Sequence, residues 1–594
     1  MENKKILGTG ISDFKNIIES NHYFVDKTAL IYDFFTHGAY ISLMPRPKRF
    51  GKTLNLSMIE HFFDTQKKKS NQLFSGLEIS ENKKFCSEHQ NKYPVINITL
   101  KKIKEPTWEK CLKRFKSVIS ELYKQYIFLK QSNNLDEDDK EFINSIIRKT
   151  ADEIEYQESL EKLSKYLYKH FEQKVIILVD EYDTPIINAF KHTAIPIKRP
   201  KEEMSYYQKV IDYMQSFLGD AFKGNETNLQ KGLITGVMRV ARESIFSDWN
   251  NFNVYGITSN YFSDSFGFTQ AETEEILTYF GLQNTLENVE KWYNGYKFGN
   301  VEKIYNPWSI VNYILNEKDG FKAHWVNTSD YSLIKERITE QNATKKIQKL
   351  IEGKTIDEPI YENFIFSDFE TDNELLWTLL TYNGYLTQLQ KSDYDNYKLK
   401  IPNNEVKKVF TDIIMNWLKN RIKLKRDLII FTADCLINNK LKKFETGFKR
   451  IVGDTISYYD TAEEHDKEKD EIILAKEQIY HVYILGLLAI LSDDYIIKSN
   501  REGGEGRYDI MLIPHDKTKN GVVIEIKSID KQKKNEDNKK IIKRIDEEIE
   551  SALNQIERNK YYKELLANKI PLERIIKVPI VFAGKEPYII KSDE

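Results

Sequence analysis

The chain has 594 residues, 40% of them hydrophobic, with 89 Lys and Arg against 90 Asp and Glu. That length exceeds what one hydrophobic core supports and predicts about three or four domains. Near-cancelling charge excludes a global field drawing the protein onto nucleic acid or a membrane, so any such binding rests on local patches.

The three cysteines, Cys86, Cys111 and Cys435, form no C-x-x-C pair. This argues against a disulfide framework or a cysteine zinc site and fits a reducing cytosol. The opening MENKKILGTGISDF lacks the apolar core of a signal peptide. The longest apolar run, 482–491, is too short to span a bilayer and reads as a buried helix. A cytoplasmic protein without membrane attachment is expected.

In chain order, residues 23–28 (YFVDKT) have strand-then-cap character, and Asp26 or Thr28 is placed to cap a helix running to about residue 37. The strongest local signal follows at 39–53, AYISLMPRPKRFGKT. An apolar strand over 40–44 passes through a basic turn into Gly51-Lys52-Thr53 and an apolar helix over 54–63. Strand, loop and helix in that order describe a phosphate-binding loop. Its backbone N–H groups cradle phosphates, its Lys reaches the outer phosphates and its Thr hydroxyl holds Mg²⁺. The pattern G-x-x-x-x-G-K-[ST] asks for glycine at position 46, where this chain has Arg46. The expected nucleotide-contacting set here is Arg46, Lys48, Arg49, Phe50, Gly51, Lys52 and Thr53.

A second strand is predicted over 93–100, then helix over 107–172 with a polar break near 133–140. The run KVIILVDEYD (174–183) is a continuous apolar strand delivering Asp180 and Glu181 at its C-terminal end, where open α/β sheets bind ligands. Paired with the upstream G-K-T, Asp180 is expected to hold Mg²⁺ and Glu181 to orient or deprotonate the attacking water. Another strand at 232–237 ends near Thr235, placed to sense a γ-phosphate. Arg239 or Arg242 would neutralise transition-state charge; surface arginines at a helix start are the competing reading. With a last strand over 253–257, residues 1–265 read as a parallel, doubly wound α/β sheet.

The stretches YFVDKTALI, MPRPKRFGKTLNLSMIEHFF, ILVDEYDTPI, TGVMRVARESIFS and NPWSI resemble the AAA-ATPase-like family of P-loop NTPases from bacteria and intracellular symbionts, often joined to a nuclease-like domain. The resemblance spans roughly residues 5–330. The family loop commonly reads R-P-[RK]-R-F-G-K-T, so Arg46 is similar to the family form. The resemblance implies the fold and nucleotide binding.

Residues 266–400 read as mostly helical, with aromatic blocks at 292–296, 305–308 and 382–386 that serve helix packing or, alternatively, base stacking. Strands near 385–387 and 397–401 are expected as the wing of a winged-helix-like lid. Residues 401–470 read as a charged helical linker.

From residue 471 the pattern changes. A helix over 471–492 carries Glu477 and His481 on one face. Strands over 495–500, 506–513 and 522–527 follow, then a helix over 539–562 and a strand over 575–582, giving α-β-β-β-α-β. Asp509 on one strand and Glu525-x-Lys527 on the next match the PD-(D/E)XK nuclease signature. Two carboxylates on adjacent strands can share a hard divalent cation such as Mg²⁺ or Mn²⁺. A lysine two residues on, on the same face, can position the attacking water or stabilise charge on phosphorus. Glu477, or His481, would complete the metal shell.

YHVYILGLL, GRYDIMLIP, VVIEIK, SALNQIERNKYY and VFAGK resemble the PD-(D/E)XK domain that accompanies this ATPase family, over roughly 470–585. That resemblance brings Gln555 close to the site. Tyr508 stands where the bare signature has Pro. The Lys-rich run 531–544 offers sequence-independent phosphate contacts or is a solvated loop.

The sequence thus predicts four segments: 1–265 NTPase, 266–400 lid, 401–470 linker and 471–594 nuclease-like. The expected activity is ATP binding and hydrolysis coupled to Mg²⁺- or Mn²⁺-dependent cleavage of DNA or RNA, with a homo-oligomer or protein partner possible. The competing expectation is a nucleotide-switched interaction, effector or defence protein whose nuclease fold binds without cleaving.

Overall fold

The computed structural model describes residues 5–37, 39–193, 205–239, 246, 249, 252–325, 341–361, 375–393, 396–421, 426–462, 490–491, 494–503, 506–529, 538–583 and 586–591. The chain forms two compact units: Met1–Ile334 with Asp357–Val406, and Lys335–Ile356 with Lys407–Glu594. Among the described residues no helix is long and apolar enough to cross a membrane.

The first unit is built on a parallel five-stranded sheet, as the alternation of strands and helices predicts. Its strands are β1 (Ile41–Pro45), β2 (Val95–Thr99), β3 (Val175–Asp180), β4 (Leu229–Gly236) and β5 (Phe252–Val254), in the order β2-β3-β4-β1-β5. Every residue of β1 and β3 is buried, which is why both read as unbroken apolar runs rather than alternating ones. β4 lies between them. It pairs Met44 with Thr235 on one side and Val179 with Ile234 on the other. The C-terminal ends of the strands carrying G-K-T and D-E are therefore bridged by the end of β4.

The helical stretch after β2 breaks twice, not once. Helices Trp108–Gln125, Glu137–Arg148 and Glu153–Phe171 are separated first near the polar run and again at Lys149. Lys149 takes a left-handed conformation (φ 64°) and ends one helix, and Asp152 with Glu155 forms a capping box that starts the next.

Beyond the sheet, helices Gln270–Tyr279, Leu286–Tyr293 and Pro307–Leu315 enclose a core of Ile276, Leu277, Val289, Tyr293, Tyr305, Ile310, Tyr313 and Ile314. Tyr293 and Tyr305, within two of the aromatic blocks, thus serve helix packing. A hairpin of β6 (Tyr296–Phe298) and β7 (Val301–Ile304) precedes a three-stranded sheet, β8 (Ile356–Pro359), β9 (Thr387–Asp393) and β10 (Asn396–Lys400), in the order β8-β10-β9. The antiparallel β9–β10 hairpin stands where the wing is expected. It follows the fully buried helix Leu375–Tyr382.

The second unit carries a mixed sheet of β11 (Tyr495–Gly503), β12 (Gly506–Pro514), β13 (Gly521–Ile529), β14 (Ile575–Ala583) and β15 (Glu586–Tyr588), in sequential order. β13 and β14 are parallel, connected through helix Asn538–Arg558, and the other pairs are antiparallel. One core cluster joins Met511, Ile513 and Val523 to Ile556, Tyr561 and Leu565. The helices Arg426–Ile437 and Leu441–Ala462, read from sequence as linker, belong to this unit. The Glu445 carboxylate accepts hydrogen bonds from the Ile589 and Ile590 amides at 3.0 and 2.8 Å, and Asn520 Nδ2 donates to the Ile437 carbonyl at 2.9 Å. Despite their charge, they carry an apolar stripe, with Phe444, Phe448 and Ile451 buried, and that stripe is what packs.

Candidate functional site

The loop after β1 is held from outside as much as by itself. Arg46 is fully buried. Its Nη1 donates to the Pro45 and Tyr255 carbonyls at 2.8 and 2.7 Å, and its Nη2 to the Phe262 carbonyl at 2.8 Å. The guanidinium lies 5.1 Å from the Phe266 ring centroid and 5.3 Å from that of Phe298. Burial pulls its pKa down to about 9. Arg46 was expected among the nucleotide contacts; the structure instead places its side chain in the protein interior, saturating backbone carbonyls. Phe50, also expected at the nucleotide, is likewise buried, 5.0 and 5.4 Å from the rings of Tyr296 and Phe298. Both residues brace the loop.

Of the remaining loop residues, Arg49 reaches solvent, Lys48 is half-buried and Lys52 is buried. Arg49 is exposed, with its guanidinium 4.0 Å from the Trp308 ring centroid and its backbone left-handed at φ 73°. The Lys48 carbonyl accepts from Trp325 Nε1 at 3.3 Å. Gly51 caps helix Lys52–Phe63 at φ 87°, a conformation that favours glycine, and a Cβ there meets no described heavy atom within 4 Å. The Lys52 ammonium donates to the Arg46 and Pro47 carbonyls at 2.9 and 3.0 Å. Burial lowers its pKa, while Glu181, Asp180 and Asp183 oppose that shift.

At the end of β3, Asp180 joins three elements. Thr53 Oγ1 donates to Asp180 Oδ2 at 2.8 Å, and Thr235 Oγ1 donates to Asp180 Oδ1 at 2.9 Å. Burial raises the Asp180 pKa, while the Thr53 and Thr235 hydroxyls and Lys52 favour its charged form. Glu181 follows in a left-handed turn at φ 52°, and its carboxylate accepts from Thr184 Oγ1 at 3.0 Å. Non-glycine residues in that conformation are strained by about 1–2 kcal/mol and concentrate at functional turns. Asp183 is buried, with Oδ2 accepting from the Val237 and Met238 amides at 2.7 and 3.1 Å, and burial pushes its pKa up to about 6. Arg239 is half-buried, and its Nε has no partner among the described residues. An anionic ligand at this loop would meet a helix N-terminus and Lys52, with a hydroxyl–carboxylate pair beside it; that donor set fits a nucleotide with Mg²⁺.

The second unit presents a separate centre. β12 and β13 pair Ile510 with Ile524 and Met511 with Val523; continuing that register would set Asp509 against Glu525, and the Ile526 amide's hydrogen bond to Asp509 Oδ2 places the two carboxyl-bearing residues side by side. Lys527 lies two residues beyond Glu525, on the same face of β13. Its Nζ donates to Gln555 Oε1 at 2.6 Å and stands 3.4 Å from Glu525 Oε1. Gln555 Nε2 donates to Glu525 Oε1 at 2.6 Å and to the Tyr561 hydroxyl at 3.0 Å, and Asn559 Nδ2 donates to that hydroxyl at 2.9 Å. Asp509 Oδ2 accepts from the Ile526 amide at 2.7 Å.

Glu525 is buried, and its Oε2 has no partner among the described residues. Burial first, and the Asp509 charge second, push its pKa up to about 7; burial also raises that of Asp509. An orphaned carboxylate oxygen opposite a second carboxylate fits a hard divalent cation. Among the described residues no third His, Cys, Asp or Glu completes a metal-holding group. Glu477, His481 and Arg242 lie outside the described residues, as does the first half of the Lys-rich run, 531–537.

Four residues escaped the sequence reading. Asp183 was visible in D-E-Y-D, but nothing in the spacing tells a structural acid from a turn residue. Tyr561 was visible only as part of an aromatic pair. Trp325 and Glu405 carry no motif. The buried Glu405 carboxylate accepts from Ser309 Oγ at 2.7 Å and from the His324 and Trp325 amides at 2.6 and 2.7 Å, and so holds Trp325 beside the Lys48 carbonyl.

Residues 8–246 match a family model described as "Predicted AAA-ATPase", and residues 475–592 match one described as "PD-(D/E)XK nuclease superfamily". The chain is also similar to a protein of Azotobacter chroococcum mcd 1 described as an uncharacterized protein in the vnfD 5′ region. The two are 23% identical over 418 residues, which cover 69% of this chain and 70% of that protein.

Proposed function

We propose that the chain binds and hydrolyses ATP with Mg²⁺ in the part that matches the predicted AAA-ATPase model and cleaves nucleic-acid phosphodiesters in the part that matches the PD-(D/E)XK nuclease superfamily model. The observation that carries the first half is the Thr53–Asp180–Thr235 hydroxyl–carboxylate chain beside Lys52. The observation that carries the second is the Asp509–Glu525 pair with Lys527 on its face.

At the nucleotide site, amides at the start of helix Lys52–Phe63 and the Lys52 ammonium bind the phosphates. Thr53 and Asp180 would hold Mg²⁺. Glu181 orients the attacking water and takes its proton, and Thr235 and Arg239 meet the γ-phosphate. Lys48 and Arg49 add positive charge at the loop mouth.

At the second centre Asp509 and Glu525 would hold Mg²⁺ or Mn²⁺, with Glu477 as the further carboxylate from the preceding segment. The cation supplies a bound water of lowered pKa and Lewis acidity toward phosphorus. Lys527, fixed by Gln555, orients the attacking water and balances charge gathering on the phosphate oxygens. Nucleic acid, DNA or RNA, is the substrate class, and nucleotide state gates cleavage.

A second reading, a nuclease fold that binds without cutting, draws on the Ile526 amide already engaging Asp509 Oδ2. Titration calorimetry with ATP and Mg²⁺ tests the first centre: the wild type binds, and Lys52→Ala loses at least about tenfold in affinity. Equal binding by both would remove the nucleotide reading.

A further inference from the structure

The turn that carries Asp180 and Glu181 does not end with them. Tyr182 and Asp183 fasten it to the segment beyond β4 from two sides. The Tyr182 amide donates to the Thr235 carbonyl at 3.1 Å, and the Tyr182 hydroxyl donates to the Met238 carbonyl at 2.8 Å. Asp183 Oδ2 accepts from two successive amides, Val237 and Met238. The two side chains grip the Met238 residue at its N–H and its C=O. Both are buried.

Glycine at 236 is what permits the approach. A Cβ there would stand 2.9 Å from Asp183 Oδ1 and 2.8 Å from Tyr182 Cε1, closer than packed carbon atoms allow. Thr235 immediately precedes this gripped peptide and Arg239 immediately follows it. A carboxylate accepting two backbone N–H bonds in a buried setting is a stiff, charge-assisted junction.

We propose that Asp183 is a positioning residue of the nucleotide site, locking Thr235 and Arg239 to the Asp180–Glu181 turn so that γ-phosphate contact and water orientation move as one body. This rests on the reading of the loop as an ATP site and deepens it. Without the junction, the β4 end and the acidic turn relax separately. Contacts to the α- and β-phosphates, which come from the loop and Lys52, are untouched. The signature is therefore a loss of discrimination between triphosphate and diphosphate, not a loss of nucleotide binding.

The test is calorimetric affinity for a β,γ-nonhydrolysable ATP analogue and for ADP, each with Mg²⁺, using the full chain. The wild type prefers the analogue. Asp183→Ala lowers the preference by about tenfold, the equivalent of one charge-assisted hydrogen bond, with ADP affinity unchanged. Gly236→Ala wedges the same junction apart without removing a charge and gives the same loss. Asp183→Asn keeps a carbonyl oxygen for both amides and retains most of the preference. Asp183→Ala or Gly236→Ala at the wild-type ratio, or Asp183→Asn falling as far as Asp183→Ala, overturns the proposal. A wild type that binds both nucleotides equally also overturns it, whereas one that binds neither removes the ATP reading itself.

Discussion

Asp509 on β12 accepts a hydrogen bond from the Ile526 amide on β13, next to Glu525, and only one of Glu525's two oxygens is hydrogen-bonded within the described protein. Burial, reinforced by the Asp509 charge, holds the Glu525 pKa up at about 7. A cation at this pair has to displace that proton. Mn²⁺ affinity, measured by calorimetry, therefore rises as pH increases toward about 7 and levels above it. Glu525→Gln weakens binding and flattens the profile. A wild-type affinity independent of pH between 5.5 and 8 would remove Glu525 from the metal shell.

Arg46 occupies the position where the general loop pattern has glycine, yet restoring glycine should not repair anything. Three carbonyls, of Pro45, Tyr255 and Phe262, depend on its guanidinium. Arg46→Gly leaves them buried without donors and opens a cavity between Phe266 and Phe298. The expected loss is on the order of 3–5 kcal/mol in urea unfolding, with weaker ATP binding because the loop loses its brace. Arg46→Lys recovers little, since one ammonium cannot reproduce the planar fork. Tighter nucleotide binding in Arg46→Gly would contradict this account.

Glu405 supplies a pH signature in stability. Burial raises its pKa from 4.5 to about 7 against the opposing hydrogen bonds from Ser309, Trp325 and His324. The folded state thus favours the protonated acid. The associated stabilisation is fully present below pH 4.5 and is lost as pH rises through 7, a change on the order of 3 kcal/mol. Urea unfolding of wild type and Glu405→Gln at pH 5 and pH 8 isolates it. The wild type loses its advantage over the variant at the higher pH, and an equal difference at both pH values would contradict the assignment.

Gln555 bridges Lys527 and Glu525 through its two amide atoms. Gln555→Ala frees both, with the Tyr561 hydroxyl losing one donor. Cleavage should fall about tenfold or more, as when other supporting contacts of a metal site are removed, while the thermal midpoint of the second unit changes little. A variant with unchanged cleavage would show that Lys527 needs no such support.

The parallel sheet was legible because β1 and β3 are buried along their whole length and their apolar runs lead into chemically distinct residues. The Asp509–Glu525–Lys527 face was legible because a strand's two-residue period places side chains without knowledge of the rest. The loop's supports were not. Arg46 counted among the nucleotide contacts by its place in the loop pattern, and its destination between Phe266 and Phe298 depends on contacts more than two hundred residues away. The helices 426–462 read as a charged linker because charge is counted along the chain, whereas packing depends on the one stripe that carries Phe444, Phe448 and Ile451.

The most direct measurement is cleavage of end-labelled single- and double-stranded DNA and RNA with Mg²⁺ or Mn²⁺, with and without ATP, by wild type, Asp509→Ala and Lys52→Ala. The account predicts cation-dependent cleavage that disappears in Asp509→Ala, and a rate response to ATP that disappears in Lys52→Ala. Cleavage that persists undiminished in Asp509→Ala, or an ATP response that survives in Lys52→Ala, would contradict it.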